Sequence, residues 1–173
     1  MKKLLIVVDY QNDFVDGKLG FEGAKDIENN IVELINMYHK NNDDVIFTFD
    51  THFESYMESV EGKFLPVPHC IKGTNGHNLT DALLNVKKEN DVTFEKFTFP
   101  SLDLANYIKE KQFDEVQLCG VVSNICVLSN AVMVKAALPN ARIFICENSI
   151  ASNDNELHKK GIDILKNLHI EII

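Results

Sequence analysis

The amino-acid sequence predicts an α/β fold, a three-layer α/β/α sandwich around a six-stranded parallel sheet, and three observations carry that expectation. Short β-branched apolar runs recur along the chain, longer stretches with helical spacing separate them, and the two alternate from end to end. That alternation is the pattern of βα units with right-handed crossovers. With 173 residues and 45% hydrophobic composition, the chain can bury one sizeable core but falls short of two enzyme domains. Residues 1–173 are therefore read as a single domain.

The first strand is expected over Lys3 to Val8, where five apolar residues follow two lysines and stop at Asp9. Ile27, Ile31, Leu34, Ile35 and Tyr38 then space out one apolar face of a helix, and a second strand follows from Asp44 to Phe49. The stretch from Thr51 to Asn78 has neither period and contains Pro66, Pro68, Gly73 and Gly76; irregular connections of that length are usually functional. A third strand is expected from Asp91 to Glu95. After Pro100-Ser101, which reads as a helix start, Leu102, Leu104, Ala105 and Ile108 mark a second amphipathic helix. Strand four runs from Glu115 to Gly120. A helix from Asn124 to Ala137 is apolar nearly all round and should be buried. Strand five is expected from Arg142 to Cys146, a last helix from Asn155 to Asn167, and a terminal strand from Leu168 to Ile172.

Charge and cysteine usage exclude several function classes. A net charge of -9 and a pI near 5.1 repel nucleic-acid phosphates and anionic lipid, so neither nucleic acid nor membrane is an expected partner. The apolar run after Met1-Lys2-Lys3 is too short for a secretory signal or a membrane span. Cys70, Cys119, Cys126 and Cys146 lie far apart without CxxC spacing, which suits a reducing cytoplasm. No GxGxxG or GxxxxGK[ST] is present, which argues against dinucleotide and P-loop chemistry.

Ligands of open parallel sheets bind beyond the carboxyl ends of the strands, which directs attention to Asp9, Lys96 and Cys126. A thiol in the first turn of a helix feels the positive end of the backbone dipole, and a nearby ammonium lowers its pKa further. Cys126 would then be a nucleophile, with Asp9 carrying its proton and Lys96 steadying developing charge. Each residue alone has a plainer reading: an apolar filler, a turn aspartate and a solvated lysine. The joint placement at strand ends favours the catalytic one. The connection from Gly120 to Cys126 is either an ordinary βα turn or a set of backbone N–H groups converging on an oxyanion. Cys70, Cys119 and Cys146 keep the reading of packing residues.

A second constellation is Asp50-Thr51-His52 with His69 arriving from the Pro-rich loop. One carboxylate and two imidazoles suit Zn²⁺, Fe²⁺ or Mn²⁺ with open positions. Loop histidines are also common as plain surface residues, the reading given to His39, His77, His158 and His169.

In order along the chain, Asp9-Tyr10-Gln11-Asn12-Asp13-Phe14 (DxQxxF), Asp50-Thr51-His52 (DxH), Pro68-His69-Cys70-Ile71-Lys72-Gly73-Thr74 (PHCxxGT), Lys96 and Gly120 to Val127 (GxxxxxCV) resemble the motifs of the nicotinamidase/isochorismatase-like cysteine hydrolases. The resemblance implies a Rossmann-like parallel sheet of order 321456 and a cis peptide between Val121 and Val122. It also implies an oxyanion hole from the Val122 and Cys126 amides, and Asp9, Lys96 and Cys126 as the catalytic set. It favours the nicotinamidase branch, in which Asp50, His52 and His69 hold a metal, Zn²⁺ first and Fe²⁺ or Mn²⁺ as alternatives, with Glu61 as a further ligand in some members. Nicotinamide would be hydrolysed to nicotinate and ammonia through a Cys126 thioester. The substrate would lie against Phe14 and Gln11, in a cytoplasmic homo-oligomer, dimer or tetramer. The chain lacks Trp, and Pro66 stands where nicotinamidases commonly place one; Phe53, Phe64 or Phe97 are substitutes for that wall. Alternative readings are a carbamoyl or ureido amide or an isochorismate-like substrate for the same machinery, and a non-catalytic binding module on the same fold.

Overall fold

A computed structural model describes residues 1–173. Six parallel strands form one sheet in the order β3-β2-β1-β4-β5-β6: β1 Lys3–Val8, β2 Asp44–Asp50, β3 Val92–Lys96, β4 Glu115–Val121, β5 Arg142–Ala151 and β6 Glu171–Ile172. Helices cover both faces: α1 Asn12–Val15, α2 Glu28–Lys40, α3 Val60–Phe64, α4 Asp81–Val86, α5 Leu102–Lys111, α6 Leu128–Ala137 and α7 Asn155–Asn167. No helix is long and apolar enough to cross a membrane.

The central strand explains why two layers of helices are needed. Leu4 to Val8 are all fully buried, and the pleat sends alternate side chains to opposite faces. Leu4, Ile6 and Val8 join Leu104 and Ile108 of α5, Val134 of α6 and Leu165 of α7. Leu5 and Val7 join Ile31 and Ile35 of α2 and Leu83 of α4. The chain steps outward from β1 through β2 to β3 and then crosses back to β4 on the other side of β1, so the strand order reverses there. A crevice opens at that point beyond the carboxyl ends.

Local chemistry sets the helix starts. Ser101 caps α5 by accepting the Leu104 N–H at 3.1 Å, and Asp154 caps α7 by accepting the Glu156 and Leu157 N–H groups, each at 2.9 Å. The two ends of the sheet differ from the sequence-based expectation. β5 continues past Cys146 to Ala151, because the polar stretch Glu147-Asn148-Ser149 is absorbed by a register shift against β4 and the apolar run resumes at Ile150. β6 begins at Glu171 rather than Leu168: the Leu168 N–H closes α7 on Ile164 O, and His169 takes a left-handed turn (φ 60°) after it. The helix expected from Asn124 begins instead as a π turn over Ser123–Val127, with α6 proper starting at Leu128. The irregular stretch from Thr51 to Asn78 contains short helical turns at Glu54–Glu58, Val60–Phe64 and Asn75–His77.

Gly120 shows how closely the sheet packs below the crevice. It has φ 111°, and a Cβ there would lie 2.0 Å from Val8 O on the paired strand. Gly120→Ala is expected to destabilise the fold by about 3 kcal/mol in urea denaturation. A change within experimental error would mean the strands can part without cost.

Candidate active site

The ends of β1, β2 and β3 place three charged side chains in one buried cluster. Asp9 follows β1 in a left-handed conformation (φ 46°), and its Oδ1 accepts the Thr48 hydroxyl at 2.7 Å. Lys96 ends β3 directly beside Asp50 at the end of β2. Its Nζ lies 2.6 Å from Asp9 Oδ2, 3.1 Å from Asp50 Oδ1, 3.2 Å from Thr98 O and 3.7 Å from Cys126 Sγ. Asp9, Lys96 and Cys126 are therefore brought together as the sequence suggested. Lys96 is buried, not the solvated lysine of the plainer reading.

Electrostatics correct one expectation. Burial pushes the Cys126 thiol well above its ordinary range; Lys96 pulls it down, but Asp9 and Asp50 push it up. Burial therefore favours a neutral thiol at Cys126 over the thiolate expected at a helix start. Burial would lower Lys96, yet the Asp9 and Asp50 carboxylates outweigh it and keep the ammonium charged. Burial raises Asp9 against the pull of that ammonium, which leaves its carboxylate able to take a proton.

Cys126 sits on the π turn after β4, behind a cis peptide between Val121 and Val122. The turn is tied down on both sides. Asn130 donates to Cys126 O at 2.8 Å and to Phe99 O at 3.0 Å, joining α6 to the segment after Lys96. Ser123 Oγ meets His158 Nδ1 at 2.7 Å, and Ser152 donates to Asn124 at 2.7 Å, joining the turn to α7 and its approach. Val122 and Cys126 both line the hollow described below.

Asp50, His52, Glu61 and His69 form a second cluster whose donor atoms all lie within 4.8 Å of one another. Asp50 Oδ2 is 3.0 Å from His52 Nε2 and 3.3 Å from His69 Nε2, and Glu61 Oε1 is 3.6 Å from each. Ligands bonded at about 2.1 Å around a tetrahedral ion stand roughly 3.4 Å apart, so this donor set fits a divalent cation. His69 Nδ1 lies 2.8 Å from Val67 O; a carbonyl only accepts, so the proton sits on Nδ1 and the Nε2 lone pair faces the cluster. Asp50 joins the two clusters, with Oδ1 on Lys96 and Oδ2 on the histidines.

Gln11, expected against substrate, has another position. It is fully buried; its Nε2 donates to Asp50 O (2.9 Å) and His77 O (2.8 Å), and its Oε1 accepts the Asp50 N–H (2.7 Å). It grips the backbone of the DxH segment and does not line the hollow. Asp13 does the same for the other loop, accepting the Cys70 N–H at 2.8 Å. Three histidines expected at the surface are half-buried and engaged: His39 with Asp91, His77 with Thr51 and His158 with Ser123, whereas His169 is exposed. Cys70 and Cys119 are buried, and burial pushes both thiols up.

A hollow of about 220 Å³ joins the clusters, with Asp50, Glu61 and His69 on one side and Cys126 on another. Phe14 walls it, edge-on to His69 at 5.5 Å. Leu19, Phe21, Leu65, Phe99, Ile125 and Asn153 complete it. None of these six stood out in the sequence; only Ile125, adjacent to Cys126, carried a positional hint. Phe53, Phe64 and Phe97 do not reach this hollow, so the wall comes from other residues.

A family profile described as the isochorismatase domain matches residues 3–173. The chain is 38% identical over 169 residues to the uncharacterized isochorismatase family protein PncA of Bacillus subtilis, covering 91% of each chain. It superposes on the pyrazinamidase/nicotinamidase of Streptococcus mutans with a TM-score of 0.88 at 32% identity, covering 99% of this chain and all of that one. The pyrazinamidase of Pyrococcus horikoshii, solved in complex with zinc, shares the fold with a TM-score of 0.87 at 23% identity, covering 100% of this chain and 99% of that one.

Gln11→Met keeps side-chain volume and removes all three hydrogen bonds to the DxH and His77 backbone. It is expected to weaken zinc binding by about 10–100-fold in chelator competition, with the circular dichroism spectrum unchanged. Unaltered zinc affinity would show that Asp50 holds its place without Gln11.

Proposed function

The chain belongs to the isochorismatase family, and we propose that it hydrolyses nicotinamide to nicotinate and ammonia through a thioester on Cys126. The observation that carries this reading is one hollow lined both by Cys126, whose Sγ lies 3.7 Å from the Lys96 ammonium that Asp9 holds, and by Asp50, Glu61 and His69 of the histidine–carboxylate cluster. Its walls are largely aromatic and aliphatic, which suits a planar ring.

In the proposed sequence Asp9 takes the proton of the neutral Cys126 thiol as the sulfur attacks the amide carbon. The developing oxyanion is met by the Val122 and Cys126 backbone N–H groups, and the Lys96 ammonium stabilises the negative charge around it. Asp9 returns its proton to the departing nitrogen, the C–N bond breaks and ammonia leaves. A water then attacks the thioester while Asp9 accepts its proton; the C–S bond breaks and that proton restores the thiol. Asp50, His52 and His69, with Glu61 beside them, would hold Zn²⁺, with Fe²⁺ or Mn²⁺ as alternatives, which when bound offers a Lewis-acid contact for a ring nitrogen. Phe14 packs against the ring and fixes its plane.

The isochorismate-like alternative is disfavoured by charge. A substrate bearing carboxylates needs free cations, yet Lys96 is already engaged by two carboxylates. Arg142, the only arginine, is spent on Glu115 and Glu171 at the opposite end of the sheet. Four free cysteines support placement in the reducing cytoplasm.

Purified protein is expected to release ammonia from nicotinamide, and Cys126→Ala to lower that rate by about 10³-fold or more without shifting the melting temperature. Wild-type turnover in Cys126→Ala would refute the thioester route. Chelation is expected to remove one metal per chain, the stoichiometry of a single four-donor cluster, and to raise KM for nicotinamide, with recovery on adding zinc. Undiminished substrate affinity in demonstrably metal-free protein would separate the cluster from substrate binding.

A further inference from the structure

A second hollow, of about 690 Å³, lies against the reactive one. Glu61, Leu65, Phe99 and Ile125 line both, so the two meet along a common wall beside the metal-site residues. The inner hollow, at about 220 Å³, is below the roughly 300–1,000 Å³ range of sites for drug-sized ligands and suits one small ring. The outer one lies within that range. Its far side is made by Phe64 and Phe97, which are 88% and 62% exposed and take no part in the inner hollow. Phe97 is braced from behind by Phe53, with ring centroids 6.0 Å apart.

The lining also decides the chemistry of an occupant. No lysine or arginine lines the outer hollow; its polar lining is His52, Ser59, Thr98 and Glu61, so away from the metal cluster a phosphate or carboxylate tail would meet no cationic side chain. The remaining surface is aromatic and aliphatic, and a concave apolar surface of this size that shares four lining residues with the reactive hollow is a place for an apolar group.

We propose that the outer hollow is a second subsite of the same reaction, which takes an apolar substituent carried on the substrate ring, so that the substrate class extends to alkyl- and aryl-substituted pyridine carboxamides. This rests on the amide-hydrolase reading above. Binding energy gained there, remote from the scissile bond, holds the amide against Cys126. A single methylene in an apolar pocket is worth about tenfold or more in discrimination, so a propyl or phenyl group should register clearly.

The test is a series of nicotinamides bearing hydrogen, methyl, propyl or phenyl at ring carbon 5 or 6. Binding is read by calorimetry on zinc-loaded Cys126→Ala and turnover by ammonia release from the wild type. At one of the two ring positions the Kd is expected to fall about tenfold or more from hydrogen to propyl, with kcat/KM rising in parallel. In the Phe64→Ala/Phe97→Ala protein, and in the same pair of changes on the Cys126→Ala background, that gain should vanish while nicotinamide itself binds and turns over as before. Affinity that falls or stays level at both positions would overturn the subsite, and would also be the result if a second copy of the chain covered the hollow. A gain that survives in the Phe64→Ala/Phe97→Ala background would overturn it too. Failure of the hydrolase reading is separate: no amide would release ammonia from the wild type, while the Cys126→Ala titrations still report on the hollow.

Discussion

The buried ammonium of Lys96 is the interaction on which the rest of the site depends. Two carboxylates, Asp9 and Asp50, lie within salt-bridge distance of it at the ends of adjacent strands, and all three side chains are removed from water. Placing two like charges there without the cation would cost several kcal/mol, because a buried charge that loses its partner is strongly destabilising. With the cation present, the group still carries one surplus negative charge. Burial first, and that surplus after it, push the Cys126 thiol up, which suits a mechanism in which Asp9 removes the proton only as sulfur attacks. Asp50 conveys the same balance to the histidine cluster, since its two oxygens face different neighbours.

The parallel sheet supplies the geometry that lets one lysine reach so many partners. Asp50 and Lys96 are paired across β2 and β3, and Asp9 emerges from β1 beside them, so their mutual positions are set by ladder hydrogen bonds rather than by loops. Cys126 arrives from the other side of the order reversal, after β4. The loops are then fastened to this frame by Gln11 and Asp13, two polar side chains of one short segment whose bonds go to backbone. Such supporting bonds fix a site at the precision that chemistry demands.

Much of this was legible in the residues because strands advertise themselves. The run Leu4 to Val8 is wholly apolar, its end is marked by Asp9, and the last helix was expected over the same Asn155–Asn167 that α7 occupies. The polar bulge in β5 hid the strand's continuation, since Glu147-Asn148-Ser149 reads as a stop and only the paired strand shows it to be an irregularity. The residues of the two clusters were singled out through charged or nucleophilic types at strand ends and ordered motifs. The walls were not: Leu19, Phe21 and Phe99 belong to segments without period, and an apolar residue in a loop looks the same whether it faces a hollow or solvent. Gln11 was placed against substrate because motif membership does not say which way a side chain is spent. The thiol was misjudged for a related reason, since the count of surrounding charges exists only after folding.

The bridge between Ser123 and His158 has a consequence for the order in which the molecule is made. The turn bearing Cys126 is held by α7, which spans Asn155–Asn167, through a bridge between residues 35 apart in the sequence. A nascent chain will have β1 to β4 available long before that helix leaves the ribosome, so the three charged residues can assemble while the sulfur-bearing turn still lacks its outer support. The turn that bears Cys126 is thus the last of these parts to receive its support, and a chain interrupted before Asn155 would carry that turn without the Ser123–His158 bridge.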